Sequence, residues 1–402
     1  MDKPLPNIRH LRVAHQVALH KSISKASAKV FLSQPAITQA INKLEEQLET
    51  VLFNRQSTGM YPTEGGEVYM HRVERCLSIL FEGAKEVCRL GANRDTPPAD
   101  RIIQLLTTTQ LRALISVTEV RNFSLAGRQL GISQSSIHRA ARELENLLQI
   151  TLFEKSQVGI TPTKAALALA RAAKLAFNEI TQAQQELEAL HNRETGLIVV
   201  GSMPLARTKL LPNAINHFTA NNPGFRINII DGPYEDLLSH LRSGDIDILI
   251  GALRYPAPSD DIEQHELYRP PLGIFARKDH PLHQKADVTL EDLQRYDWLV
   301  PRPGTPTREV FSKLFTDQGL EAPQDCIESS SQVLVREVLL GSDRLAITSK
   351  DQFPREESLQ LLRPINFDLS HTQRPIGVTM RSNWHATRSQ QRFIDGIFAE
   401  QP

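Results

Sequence analysis

The sequence is short of cysteine, of net charge and of long apolar runs, and each shortage excludes a class of protein. Cys76, Cys88 and Cys326 are odd in number and match no metal-ligand spacing. They are therefore read as reduced thiols, with no disulfide framework and no metal. No stretch approaches the roughly 18 apolar residues that a membrane span requires, and the start Met-Asp-Lys-Pro-Leu-Pro-Asn lacks an apolar signal core. The expectation is a soluble, cytoplasmic chain with no membrane partner. Catalytic signatures are also missing: there is no Gly-x-Ser-x-Gly elbow and no phosphate loop. Asp245-Ile246-Asp247 offers one strand-capping Asp rather than two carboxylates working together, so neither an enzyme nor a cofactor is expected.

The formal net charge of zero hides a division. Residues 1 to 195 hold 24 Lys plus Arg against 19 Asp plus Glu, giving +5, and residues 196 to 402 hold 22 against 27, giving −5. A modest basic excess in the first half suits a polyanionic partner.

What is present is a repeat. Shifted by one hundred positions without a gap, Leu11 to Val87 lands on Leu111 to Leu187. The pairs include Leu11 and Leu111, Ser24 and Ser124, Ser33-Gln34 and Ser133-Gln134, Leu44-Glu45 and Leu144-Glu145, and Pro62-Thr63 and Pro162-Thr163. Solenoid periods run from about 20 to 50 residues, so each copy is expected to be a self-contained module.

In the first copy, Ile8, Leu11, Val13, Ala14, Val17 and Ala18 recur at helical spacing. Ser24 is expected to cap a short helix from Lys25 to Val30, and Phe31-Leu32-Ser33 to form a turn. A third helix from Gln34 to about Leu48 buries Ile37, Ile41, Leu44 and Leu48 and turns Gln34, Thr38, Gln39 and Asn42 outward. This is the arrangement of a helix-turn-helix, whose last helix enters the major groove. Amides suit that groove because Gln and Asn can bond adenine with both polar atoms. Leu52-Phe53-Asn54-Arg55 and Gly59 to Thr63 predict a hairpin wing with Arg55 placed for a phosphate, then a long helix capped by Thr63. Val73, Leu77, Leu80, Ala84 and Val87 along it form a heptad seam, and a seam implies a partner helix.

The string Ser33-Gln34-Pro35-Ala36-Ile37, Leu44-Glu45, Leu52-Phe53-Asn54-Arg55 and Pro62-Thr63-Glu64-Gly65-Gly66 resembles the winged helix-turn-helix and linker helix of the LysR-type transcriptional regulators. One departure is Glu49, where that family has Gly after the helix; a residue with positive φ is expected there, straining the helix exit.

Gly91 to Asp100, with Asn93, Asp95, Pro97 and Pro98, is a breaker-rich linker. The second copy then repeats the plan, with a helix from Thr109 to Val120, Ser124 as cap and Gly131 at the turn. Its third helix, Gln134 to Leu148, exposes Ser135, Ser136, His138, Arg139 and Arg142 and is more basic than its counterpart. Arg139 or Arg142 could read guanine or hold phosphate, and Lys155 stands where Arg55 stands. Gln149 again replaces Gly. Ala173, Phe177, Ile180, Gln184 and Leu187 repeat the seam. In the resembled family such helices pair between subunits; here the two of one chain could pair with each other. Residues 92 to 105, if extended, span about 45 Å at ~3.3 Å per residue, against a half-site separation of about 34 Å. The alternative is an interaction protein in which one copy is structural and does not read DNA.

After Thr195 the texture becomes strand alternating with helix. Strands are expected at Leu197–Gly201, Arg226–Ile230, Ile246–Ile250, Leu272–Ala276, Trp298–Val300, Leu345–Thr348 and Arg374–Met380. The intervening helices imply two lobes of parallel, doubly covered sheet, with crossovers near Leu267 and Thr372. This half resembles the periplasmic-binding-protein-type effector domain of LysR-type regulators through Gly-Pro-Tyr-Glu at 232 to 235 and Ile-Gly-Ala-Leu-Arg at 250 to 254. Pro-Arg-Pro-Gly-Thr-Pro-Thr-Arg at 301 to 308 is similar to the branch typified by regulators of galactose and sugar-binding-protein genes. The resemblance implies a sugar or small carboxylate, and the loops at the strand ends offer Ser202, Met203, Gly232, Arg254, Thr305, Thr307 and Ser330 to hold it, with ordinary helix capping the alternative role for their hydroxyls.

The expected fold is multidomain: two all-α winged helix-turn-helix modules with long linker helices, then a two-lobed α/β periplasmic-binding-protein-like domain. The expected boundaries are 1–91, a linker 92–105, 106–194, and 196–402, divided into lobe I (196–266 and 373–402) and lobe II (267–372). Expected DNA-contacting residues are Ser33, Gln34, Pro35, Thr38, Gln39, Asn42 and Arg55 in the first copy. In the second they are Ser133, Gln134, Ser135, Ser136, His138, Arg139, Arg142 and Lys155. Double-stranded DNA, a small-molecule effector and further copies of the chain, as dimer or tetramer, are the expected partners, with RNA polymerase a candidate.

Overall fold

The computed structural model describes residues 4–91, 96–156, 159–191 and 195–400. The chain divides into two compact units at Gly196, with Ser243–Asp245 grouped with the first.

The first unit runs through one element series twice. Helices α1 (Ile8–His20), α2 (Ile23–Val30) and α3 (Gln34–Leu48) lead into a hairpin, β1 (Phe53–Gln56) and β2 (Gly59–Pro62), and the long helix α4 (Glu64–Gly91). After α5 (Ala99–Leu105) come α6 (Thr108–Val120), α7 (Phe123–Leu130), α8 (Gln134–Leu148), the hairpin β3 (Phe153–Ser156) and β4 (Gly159–Pro162), and α9 (Lys164–Leu190). The apolar spacing of α1 and α3 has its cause in burial: Ile8, Leu11 and Val17, then Ile37, Ile41, Leu44 and Leu48, are all in the core. Each fully buried Leu or Ile contributes about 1.5–3 kcal/mol.

The recurrent Leu-Glu pair ties each hairpin to its helix. Glu45 Oε1 accepts the Leu52 and Phe53 amides at 2.7 and 3.1 Å, and Glu145 Oε1 accepts those of Leu152 and Phe153 at 2.8 and 3.2 Å. Thr63 and Thr163 cap the long helices by accepting the Gly66 and Ala166 amides.

Three expectations need correction. Ser24 and Ser124 are not caps: α2 and α7 each begin one residue before them, capped by Ser22 and Asn122, whose side chains accept the Lys25 and Leu125 amides. An Asx or hydroxyl cap two residues upstream reaches the same free N–H groups. The extended linker is in part a helix, because Ile102 of α5 and the adjoining Leu106 are fully buried and Pro98 sets its start; those seven residues rise only ~1.5 Å each. Asn93 and Asp95 lie outside the described residues, as does the expected boundary at Glu194.

The long helices α4 and α9 lie along one another. Their contacts run in opposite directions: Gly65 is level with Leu187, Arg72 with Glu179 to Glu186, and Gly83 with Ala172. The pairing is therefore antiparallel. Arg72, 2% exposed, donates to Glu179 at 2.9 Å, to the Gln182 side-chain carbonyl at 2.8 Å and to both oxygens of Glu186 at 2.6 and 3.1 Å. Arg75 takes the other Glu179 oxygen at 2.9 Å. Near the N-termini of α1 and α6 the Ile8 amide donates to Thr108 Oγ1 at 3.0 Å, so positions one hundred apart touch directly.

The second unit holds two five-stranded sheets. One, in the order β6-β5-β7-β14-β8, uses β5 (Gly196–Ser202), β6 (Phe225–Asp231), β7 (Ile248–Ala252), β8 (Ile262–Tyr268) and β14 (Ile376–Arg381). The other, β11-β10-β12-β9-β13, uses β9 (Leu272–Arg277), β10 (Trp298–Val300), β11 (Cys326–Glu328), β12 (Leu345–Ser349) and β13 (Leu362–Pro364). Helices α10 (Leu210–Asn221), α11 (Tyr234–Ser243) and α16 (Arg388–Ala399) belong to the first sheet's half of the chain. Helices α12 (Leu290–Gln294), α13 (Pro306–Thr316), α14 (Gln332–Leu340) and α15 (Pro354–Ser358) belong to the second's. The sheets are mixed rather than wholly parallel, since β14 runs antiparallel to β7 and β8, and β9 antiparallel to β12 and β13. The late strand β14 returns to the first sheet, and Asp247 is buried there with its Oδ2 accepting the Val199 amide at 2.8 Å. Burial pushes its carboxyl above the ordinary range.

Glu49 and Gln149 end α3 and α8 at φ 56° and 54°. A side chain in the left-handed region costs roughly 1–2 kcal/mol, so Gln149→Gly is expected to raise unfolding free energy by about 1 kcal/mol in urea titration. The opposite is expected of Gly83→Ala. A Cβ there would stand 2.4 Å from the Ala172 Cβ, so overpacking is expected to cost about 1–3 kcal/mol, and Ala172→Gly on the same chain is expected to recover most of it.

Candidate nucleic-acid interface

The outward faces of α3 and α8 are built alike. Along residues 31–50 and 131–150 the alternation of buried, half-buried and exposed positions is identical. Gln34, Pro35, Gln39 and Asn42 are exposed and Thr38 is half-buried; Gln134, Ser135, Arg139 and Arg142 are exposed and Ser136 and His138 are half-buried. Phe31 and Gly131 both occupy the left-handed region before these helices, at φ 54° and 68°. Arg55 and Lys155 are exposed on equivalent strands of the two hairpins, opposite Met60 and Ile160. The geometry gathers each set on one helix face and its hairpin.

The two faces differ in chemistry. Ser33 heads α3 without a side-chain cap bond, whereas Ser133 accepts the Ser136 amide at 3.1 Å and joins the hydroxyls of Ser135 and Ser136 at 2.9 and 2.8 Å. Ser135 and Ser136, expected to contact DNA, also bond the Ser133 hydroxyl within the turn. His138 is also less free than expected, because its ring stacks on Phe123 at 3.8 Å. Arg139 lies 3.9 Å from Glu143, an exposed pair of small energetic weight. The outer row thus offers neutral amides on α3, at Gln39 and Asn42, and guanidinium groups at the same places on α8.

Sequence reasoning missed Phe31, 84% exposed at the turn before α3. Its only signal was being an apolar residue where the second copy has Gly.

The residues assigned to an effector divide between the two sheets of the second unit. Ser202 ends β5, Met203, Gly232 and Arg254 follow β5, β6 and β7, and Thr305, Thr307 and Ser330 follow β10 and β11. Several are occupied by structural tasks. Ser202 is fully buried, and the Met203 side chain lies across Gly251 within the core of its sheet. Thr305 caps α13, accepting the Arg308 amide and donating to the Arg302 carbonyl at 2.9 Å. Thr307 is buried and Ser330 exposed. The Arg254 guanidinium stacks over the Tyr234 ring at 4.7 Å. Sequence reasoning missed Arg374, whose guanidinium is pushed down to about 10 by burial and by the charge of Arg254. Among the described residues no cluster of His, Cys, Asp and Glu could hold a metal ion, and no helix is long and apolar enough to cross a membrane.

Comparison with known proteins gives three kinds of match. The LysR substrate binding domain matches residues 191–401, and the bacterial regulatory helix-turn-helix protein of the lysR family matches twice, at 8–67 and 108–167. The HTH-type transcriptional regulator GalR of Pseudomonas putida is 31% identical over 382 residues, covering 95% of this chain and 94% of its own. PcaQ of Agrobacterium fabrum is 25% identical over 280 residues, 70% of this chain and 90% of its own. A full-length OxyR variant from Pseudomonas aeruginosa shares the fold at TM-score 0.53 and 19% identity, over 73% of this chain and 94% of that one. CbnR in complex with its target DNA does so at TM-score 0.50 and 18% identity, over 72% and 98%.

Arg142 is expected to contribute one phosphate or base contact. Arg142→Ala should lower affinity for duplex DNA, and if the contact is to phosphate the slope of log affinity against log salt should fall by about 1, measured by fluorescence anisotropy between low and moderate salt.

Proposed function

The chain belongs to the LysR family of DNA-binding transcriptional regulators, and from that premise we propose that it carries two winged helix-turn-helix readers that grip two unlike half-sites while its second half senses a small molecule. The observation that supports this reading best is the matched burial pattern of α3 and α8 joined to their different outer chemistry. Identical interiors hold two faces in one geometry, and the amides at Gln39 and Asn42 against the guanidiniums at Arg139 and Arg142 suit different bases. The antiparallel packing of α4 against α9 supports a pairing of linker helices inside one chain, where the rest of the family resemblance would have them pair between chains. Positions 8 and 108 in direct contact support the same pseudo-two-fold relation.

In this reading the effector enters the crevice between the two sheets of the second unit, and closure alters the spacing of the reader pairs. A sugar or a small carboxylate fits the hydroxyl-rich strand ends. The guanidinium groups of Arg254 and Arg374 favour the carboxylate, because a half-buried cation that feels a like charge gains from an anion. Assembly into a dimer or tetramer, and contact with RNA polymerase at a promoter, complete the proposal.

The test is footprinting on genomic fragments selected by the purified protein. A dimer is expected to protect four half-sites of two sequence types. Substituting Gln34 and Thr38 should weaken one type, and substituting Arg139 and Arg142 the other. Two protected half-sites, lost on substituting Arg139 and Arg142 and indifferent to Gln34 and Thr38, would instead mark the first copy as structural.

A further inference from the structure

The turn before α3 carries a side chain that folding does not call for. Phe31 is 84% exposed, more than any other large apolar side chain among the described residues, and its backbone lies in the left-handed region at φ 54°. That region disfavours any residue with a Cβ. The other non-glycine residues found there, Lys21, Glu49, Arg121, Gln149 and Gln360, all have polar ends that water solvates. In the second copy the position is Gly131, at φ 68°, and a Cβ added to it would meet nothing within 4 Å. By the matched geometry of the two copies, a side chain at this turn projects away from its own module, where a ring gains no packing.

The ring is nevertheless held beside the reading face. Ser27 of α2 donates to the Leu32 carbonyl at 2.5 Å, tying the turn to the preceding helix. Residues 31 to 35 form one unbroken exposed run, from Phe31 and Leu32 through Ser33, Gln34 and Pro35 into the first turn of α3. In the major groove an apolar ring has one apolar feature to meet, the C5-methyl of thymine, which the other three bases lack. The neighbouring chemistry agrees. The amides of Gln34, Gln39 and Asn42 suit adenine, and an A·T pair presents the adenine edge and the thymine methyl in the same groove.

We propose that Phe31 is a specificity-determining residue of the first reader, packing its ring against a thymine methyl at the edge of an A·T-containing half-site. The proposal rests on the reading of α3 as a DNA-reading helix. Gly131 leaves the second reader without this contact, so the thymine is favoured on one side of the site only and sets which way round the chain sits on its operator.

The test uses the full chain and a duplex that this protein itself recovers from a random-sequence pool. The half-site of the first reader is the one whose protection in footprinting weakens with Gln34→Ala and Thr38→Ala. Each protected thymine is replaced in turn by deoxyuridine, which removes the methyl and keeps every base-pairing atom, and affinity is read by fluorescence anisotropy at fixed salt. With the parent protein, at least one replacement in the first half-site is expected to weaken binding about four-fold, the effect of one buried methylene-sized group. Phe31→Gly is expected to weaken binding on the order of ten-fold and to abolish the response to that replacement, while any response in the second half-site persists. Its urea midpoint should be no lower than the parent's, because Gly adopts this backbone without strain. Phe31→Tyr, which keeps the ring, should retain both the affinity and the response.

The proposal is overturned if Phe31→Gly binds as the parent does, if deoxyuridine has no effect in the first half-site, or if Phe31→Gly weakens binding yet leaves the deoxyuridine response unchanged. In each of these cases a half-site lost with Gln34→Ala and Thr38→Ala leaves the reading of α3 standing. If those two substitutions leave every half-site protected, the reading itself fails and Phe31 falls with it.

Discussion

The first unit depends on one packing arrangement, the antiparallel contact of two helices of 28 and 27 residues. Most helical stability in a protein comes from packing an apolar face rather than from intrinsic propensity, and these two helices bury theirs largely against each other. Val73, Leu80 and Val87 of one and Ala173, Ile180 and Leu187 of the other are fully or almost fully buried in the common core. The small residues Gly83 and Ala172 allow the backbones to come close. The same core takes in α1, α3 and α5, so the orientation of the outer faces of α3 and α8 is set by where the long helices begin. Thr63 and Thr163, which cap those helices, also donate to the carbonyls of Val51 and Thr151 just ahead of the hairpins. Position is thus transmitted from seam to cap to hairpin through short, repeated hydrogen bonds.

Much of this was legible in the residues. The periodicity of apolar positions sets α3 at Gln34 to about Leu48 and α8 at Gln134–Leu148, and the observed helices span those residues. Long amphipathic helices are the easiest elements to read, because burial repeats at every turn. The caps of α2 and α7 were misread because Ser22, Ser24, Asn122 and Ser124 are all chemically able, and only backbone geometry selects between them. The helix α5 was hidden by neighbouring Pro97 and Pro98, which signal a break but also start a helix well. Strands β8, β11 and β13 escaped because they are short or alternate weakly, and their antiparallel or edge pairing is fixed by partners distant in sequence.

At the candidate interface, the residues located the faces but not the state of each side chain. That Gln34, Gln39 and Asn42 point outward follows from helical phase. That Ser133, Ser135 and Ser136 bond one another, and that His138 leans on Phe123, depends on rotamers and on a ring supplied by the preceding helix. The effector-side residues show the same division more sharply. Hydroxyls beside helix starts are as suited to capping as to ligand binding, and Thr305 is engaged in capping. The placing of Arg374 beside a like charge could not be read at all, since its neighbour Arg254 is 120 positions away.

The matched interiors of α3 and α8 carry a consequence for how such a protein can change. When two identical subunits meet a palindrome, every substitution is made twice, and an improvement for one arm of the site is imposed on the other. Under the two-reader proposal both surfaces are encoded in tandem on one polypeptide, so a codon change alters a single arm. Drift toward lopsided promoter sequences then proceeds one step at a time, each step leaving the opposite grip intact.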